Sequence, residues 1–184
     1  MVSHSKSKNK ELFSLCRSLK YTQRIIFSDE PFVVSDFVDM PQLVSNKPYG
    51  LWYSFGPAWI DFLSNGYQFP KRPIWCQKHL FSITHVYKLH LRRKYIYKIA
   101  NRSDLDRFAK KYGYRGKINW GRVKKRWGGV EIRWQGEDAE KAYEWYDGWD
   151  VSSGCIWDRR AINRVKLLQA WKAHWASSSD TVSF

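Results

Sequence analysis

The sequence predicts a single α+β domain, with short mixed or antiparallel strands in a split sheet flanked by helices, and three observations lead there. Apolar runs are short and closed by glycine, proline or polar clusters, as strands are. Helical spacing surfaces only in brief stretches. No repeat of strand, glycine-rich turn and helix marks a doubly wound nucleotide-binding sheet. The 184 residues fit one domain, read as a basic N-terminal segment (1–19), the domain itself (20–176) and a flexible tail (177–184). Ser3 to Lys10 and Ser177 to Phe184 read as frayed ends.

Taken in order, Arg24-Ile25-Ile26-Phe27 and Gly50-Leu51-Trp52-Tyr53-Ser54 read as buried strands. Pro57, Ile60, Leu63 and Gly66 then mark a short helix with proline at its start and glycine past its end. From 81 to 91 apolar residues alternate, the period of a strand, and Tyr95 to Ile99 is a further short strand. Ser103, with Asp106 three residues on, predicts the cap of a helix whose face is Leu105, Phe108, Ala109 and Tyr112 and whose end is Gly113. Trp120, Val123 and Trp127 predict a second helix and Gly129 to Trp134 a strand. Asp138 to Trp145 reads as a helical turn or two, Ser153 to Asp158 as a strand and Arg160 to Trp175 as a closing helix.

Hydrophobic residues make up 43% of the chain and aromatics 17%, with 11 Trp, 11 Tyr and 10 Phe, ample for a packed core. The net charge of +15 excludes a neutral surface and favours a polyanionic partner, a nucleic acid or an acidic protein surface. The apolar runs are far short of the ~20 residues of a membrane span, and no signal-peptide core follows Met1, so the expected place is the cytoplasm and no membrane partner is expected. Three cysteines, Cys16, Cys76 and Cys155, suit a reducing compartment. His85 and His90 lie an odd number of residues apart on one strand, so with Cys76 and His79 they predict no shared metal. Neither a phosphate-binding loop nor a His-Glu-x-x-His helix occurs.

Charge is concentrated. Residues 88–126 hold 15 Lys and Arg against Asp104 and Asp106, and acids follow from Glu131 to Asp150. Arg92, Arg93 and Lys94 open the basic run, Lys110 and Lys111 follow, then Arg115 and Lys117, and finally Lys124, Lys125 and Arg126. With Tyr95, Tyr97, Tyr112, Tyr114 and Trp120 among them, these cations are the candidate nucleic-acid contacts: cations for phosphates, rings for unstacked bases. The bland reading is a solvated face with its rings turned inward.

Two further stretches carry chemistry. Between Lys47 and Pro57, Gly50 and Gly56 bracket a strand rich in flat rings, where Trp52 is placed to stack on a nucleobase or nicotinamide; core aromatics of an edge strand explain the same pattern. Between Trp145 and Asp158 a polar loop feeds a buried strand, and Asp150 and Ser153 are placed to hydrogen-bond a ribose or steady a developing cation. Asp147-Gly148 in that loop is equally an ordinary turn pair.

Together these segments resemble the ADP-ribosyltransferase superfamily, whose split-sheet fold consumes NAD and which includes phage-encoded enzymes, bacterial toxins and poly-ADP-ribose polymerases. Gly50-Leu51-Trp52-Tyr53-Ser54 is similar to the family's glycine, aliphatic, aromatic, aromatic, small strand, with Trp52 where tyrosine is usual. Trp127-Gly128-Gly129-Val130-Glu131-Ile132 resembles a later strand opening, and Ser153-Gly154-Cys155-Ile156-Trp157-Asp158 the closing strand. The resemblance, over roughly residues 20–165, implies NAD as substrate, held by Gly50, Trp52, Tyr53 and Ser54, with Arg24 on its pyrophosphate or ribose. It implies loss of nicotinamide through an oxocarbenium-like state and transfer to a nucleic acid or a nucleic-acid-associated protein. The sequence departs from the family where the catalytic glutamate is usual: Ser153 stands there, with Asp150 three residues earlier. Either Asp150 substitutes, or the branch works without the glutamate, or activity is lost. The rival reading is a non-catalytic basic nucleic-acid-binding protein of a phage or mobile element, and a third is an inhibitor docking on an acidic protein surface.

Overall fold

The computed structural model describes residues 2–65, 79–80, 82–133, 143–146 and 149–171. Ten strands are described: β1 (Arg24–Ser28), β2 (Val44–Ser45), β3 (Leu51–Phe55), β4 (His85–Leu91), β5 (Ile96–Ile99), β6 (Gly113–Tyr114), β7 (Lys117–Asn119), β8 (Gly129–Ile132), β9 (Ser153–Ile156) and β10 (Ile162–Ala170). The α-helices are α1 (Val2–Ser18), α2 (Ala58–Asn65), α3 (Arg102–Tyr112) and α4 (Trp120–Lys124). Seven strands form one sheet in the order β10-β4-β1-β3-β9-β8-β5, and β2-β7-β6 form a small second sheet, giving a mixed α+β domain. Strands expected as a split sheet are thus joined edge to edge. Neighbours in the large sheet are antiparallel except β5 and β8, a parallel pair whose long connection is made by α3, the β6–β7 hairpin and α4.

The sheet curls. Ile162 of β10 and Ile96 of β5, from its two edges, belong to one buried cluster with Ile26, Tyr53, Phe55 and Leu89, and the Arg92 N–H donates to the Ala161 carbonyl at 2.8 Å where the β4–β10 ladder ends. The register places Arg24, Phe55, Tyr53 and Glu131 on this inner face. The outer face is divided between α1 and α2, which cover Ile25 and Val86, and an aromatic core under α3 and α4 in which Phe108, Trp120, Trp145 and Trp157 meet at 5.7–6.4 Å.

Several expected elements take another form. Residues from Ser3 to Lys10 lie within α1, whose Leu12 and Cys16, one turn apart, are buried against the sheet, so this end is a docked helix and not a frayed one. The segment expected as a helix from Arg160 is the strand β10, paired along β4. Two register shifts, at Ile162/Arg164 and Leu167/Gln169, stretch its alternation toward spacings of three, and that imitates a helix. The predicted turn from Asp138 lies mostly outside the described residues, as do Gly66, Cys76 and residues 172–184.

The cap of α3 is Asn101 and not Ser103. Its side chain accepts from the Asp104 N–H at 2.9 Å, while the Asp104 carboxylate accepts from the Ala100 N–H at 3.0 Å. Asn101→Ala is expected to cost ~1 kcal/mol, read as a lower denaturant midpoint; Ser103→Ala, at an exposed position, should change the midpoint little. Among the described residues no helix is long and apolar enough to cross a membrane.

Candidate functional site

Glu131 is a carboxylate in the middle of an apolar strand, flanked by the buried Val130 and Ile132 and itself 0% exposed. Its partners come from two strands across the inner face. Arg24 of β1 donates through Nε to Glu131 Oε1, and the Tyr53 hydroxyl of β3 donates to the same oxygen at 3.0 Å. Among the described residues Oε2 has no hydrogen-bond partner; Arg133 Nε lies 3.8 Å from it, an ion pair without a hydrogen bond.

Space for this arrangement comes from Gly154. On β9, between β3 and β8, it stands opposite Tyr53 on one side and Glu131 on the other. A Cβ there would fall 2.3 Å from Tyr53 Cζ and Oη and 2.7 Å from the Val130 carbonyl oxygen, so only glycine lets the phenol cross β9 to the carboxylate. Phe55 supports the cations: Arg133 lies over its ring with Cζ 4.1 Å from the centroid, and Arg24 Cζ is 5.8 Å away.

Electrostatics act on the protonation of Tyr53 and Arg24. Burial and then the charge of Glu131 push the Tyr53 phenol well above its ordinary value, so it stays a donor. Burial works against the charge of Arg24, but the bond to Glu131 and its negative charge outweigh it and hold the guanidinium above its ordinary value. A buried ion pair contributes little net stability against an apolar replacement of the same shape. Its presence with one bare oxygen marks a candidate site rather than a structural necessity.

Two cavities open beside the cluster. One, of about 440 Å³, is lined by Thr22, Arg24, Arg93, Lys98, Ile99, Ala100 and Arg133. The second, of about 370 Å³, shares Thr22, Arg24 and Arg93 and extends past Lys88, His90 and Asn163. Among the described residues neither wall contains an acid, and cations so placed suit an anion such as a phosphate.

The residues singled out in the sequence are separated by this geometry. Arg24 and Tyr53 meet at Glu131, which sequence reasoning assigned only to a strand opening. Trp52 and Ser54 point to the outer face: Trp52 packs on Trp149 with centroids 4.9 Å apart, and the buried Ser54 hydroxyl donates to the Gly56 carbonyl at 3.0 Å. Gly50 abuts β9, where a Cβ would fall 2.1 Å from the Ile156 carbonyl oxygen. Ser153 is buried on the outer face opposite Ser54, and Asp150 is exposed in the preceding loop. The signal for Glu131 was an acid between two aliphatics in a strand of period-independent burial.

The basic segment divides as well. Of its five rings only Tyr114 is exposed; Tyr112 and Trp120 are buried and Tyr95 and Tyr97 half-buried. Lys124 is half-buried and its Nζ donates to the Met40 carbonyl at 2.9 Å, tying α4 to the loop before β2. The other candidate cations are exposed. Arg93 joins the cleft; Lys110 and Lys111 lie near the end of α3; Arg115 sits with Gly116 at positive φ in the β6–β7 turn beside Lys117. No family model, no curated protein and no solved structure matches the chain, so the site is judged on its own geometry.

Proposed function

We propose that the chain is an NAD-dependent ADP-ribosyltransferase, similar to the superfamily its strand motifs resemble, with Glu131 as the carboxylate in place of Asp150 and of the position that Ser153 occupies. The observation that carries this reading is the Arg24–Glu131–Tyr53 cluster: a buried acid with one bare oxygen, beside a cleft walled by cations. The residues suit NAD as substrate. Arg24, Arg93, Lys98 and Arg133 match a pyrophosphate, and the rings β3 presents on this face are Tyr53 and Phe55, not Trp52.

Arg24 and Arg133 shield Glu131 in the free protein. An entering pyrophosphate competes for both guanidiniums and frees the carboxylate to face the nicotinamide ribose. The C1′–N bond then breaks with its electron pair leaving on nicotinamide, and Glu131 stabilises the positive charge that develops on the sugar, an electrostatic contribution of the kind that dominates such barriers. The acceptor's nucleophile bonds to C1′ and gives up its proton. Tyr53, kept neutral, holds the carboxylate in place.

The test is incubation of the purified protein with NAD labelled on the adenylate phosphate in a cell extract. Nicotinamide release with label in a macromolecule is the expected result. Absence of both, at NAD concentrations up to the millimolar range where substrates of enzymes ordinarily saturate, overturns the reading.

A further inference from the structure

The strand pairing of β10 creates a charged surface that a helix there would not have made. Register places Arg164 opposite His90 and Lys166 opposite Lys88, so four basic side chains from β10 and β4 share one face of the sheet edge. Arg164 and Lys166 are exposed, Lys88 and His90 half-buried. An Arg164 guanidinium nitrogen lies 3.4 Å from His90 Nε2. The group is held together without an acid: His90 is lowered from its ordinary value, by burial first and then by the charges of Arg164, Lys88, Arg24 and Lys166. Cations this close repel one another, and an anion laid across them relieves the repulsion. The ledge lies on the face of the sheet opposite to Glu131 and meets the cationic cleft at the sheet's rim, where the cavity containing Lys88 and His90 shares Thr22, Arg24 and Arg93 with the one beside Arg133.

We infer that the β4–β10 ledge binds the backbone of a single-stranded nucleic acid and leads one unpaired nucleotide into the cleft, which makes that strand the acceptor. The acceptor role rests on the reading of Glu131 given above; the binding does not. A strand, not a duplex, follows from the acceptor role: chemistry on a base requires that it leave the stack. In the transfer, a base nitrogen or a hydroxyl of that nucleotide forms the bond to C1′ and loses a proton, while nicotinamide departs with the electron pair.

The test is fluorescence anisotropy with labelled 12-mer DNA and RNA strands and a 12-bp duplex, without NAD. Arg164→Glu/Lys166→Glu should weaken strand binding at least tenfold and reduce the salt slope by ~1.4, two phosphate contacts at ~0.7 each. Lys110→Glu/Lys111→Glu, the same charge change on α3, should weaken it less than threefold. Should the reversal disturb the edge strand, Arg164→Gln/Lys166→Gln must still weaken binding more than the α3 pair does. Comparison of the DNA and RNA strands identifies the acceptor polymer, and tighter binding of either than of the duplex is expected. Equal loss from both pairs, equal affinity for the duplex, or displacement by polyglutamate at equal charge concentration overturns the ledge. Nicotinamide release by a protein that fails to bind strands refutes the ledge and leaves the transferase reading standing; binding without release or label refutes the acceptor role.

Discussion

Glu131→Gln is expected to reduce nicotinamide release by at least about a hundredfold, the scale on which removal of a single charge-stabilising group acts. The substitution keeps the shape of a side chain that is fully buried, and the Tyr53 hydroxyl retains an acceptor. What it removes is the negative charge that the developing oxocarbenium requires. It also leaves Arg24, 14% exposed at its side chain, without a counter-ion, so some loss of stability accompanies the loss of rate. Measuring rate and unfolding midpoint on the same preparation separates the two: a folded protein with no release is the expected outcome, and a rate within threefold of the parent would remove Glu131 from the mechanism. Asp150→Asn, at an exposed loop position away from the cluster, is the comparison and should leave the rate within twofold.

Gly154→Ala is the substitution expected to damage the fold most. The new methyl meets the Tyr53 ring and the Val130 carbonyl at once, and because one obstacle is the backbone of a paired central strand, repacking of side chains alone does not make room. Overpacking of this kind costs ~3 kcal/mol or more when backbone must shift. Urea unfolding measures it. Gly121→Ala makes the contrast, since its Cβ meets only the Asn119 side chain and the Gln42 carbonyl at 3.3 Å, and α4 gains helix propensity from alanine. A Gly154→Ala protein as stable as the parent would mean that the Tyr53 ring does not cross β9.

Where local pattern and tertiary burial agreed, the chain was legible. Strands β1, β3, β5, β8 and β9 and helices α2 and α3 fall within a residue or two of their expected places, because each has a run of apolar residues stopped by glycine or a polar cap; α4 starts at Trp120 as expected but ends at Lys124, short of Trp127. Residues 160–171 were not legible, because bulges altered the period, and bulges are set by the partner strand rather than by the segment itself. The docking of α1 was hidden by its polar majority, since two buried positions, Leu12 and Cys16, anchor it. At the candidate site, Arg24 and Tyr53 entered only through the family resemblance, and Glu131 is 107 residues from Arg24 and 78 from Tyr53. Only the sheet order, with β9 between β3 and β8, brings them within reach. Counting backwards from Asp158 for an acid reaches Asp150 in the loop before β9, whereas Glu131 lies on β8.

That sheet order also imposes a sequence in time. β9 is the weld between β3 and β8, yet its residues are among the last of the described chain to leave the ribosome. Until Ser153–Ile156 emerge, β1, β3 and β4 can pair as one ribbon and β5 and β8 as another, with Arg24 and Tyr53 on the first and Glu131 on the second. A nascent chain at that stage holds the two halves of the cluster without joining them. Synthesis at ~5–20 residues per second makes this interval, from Ile132 to Ile156, last about 1–5 seconds before the cluster can close.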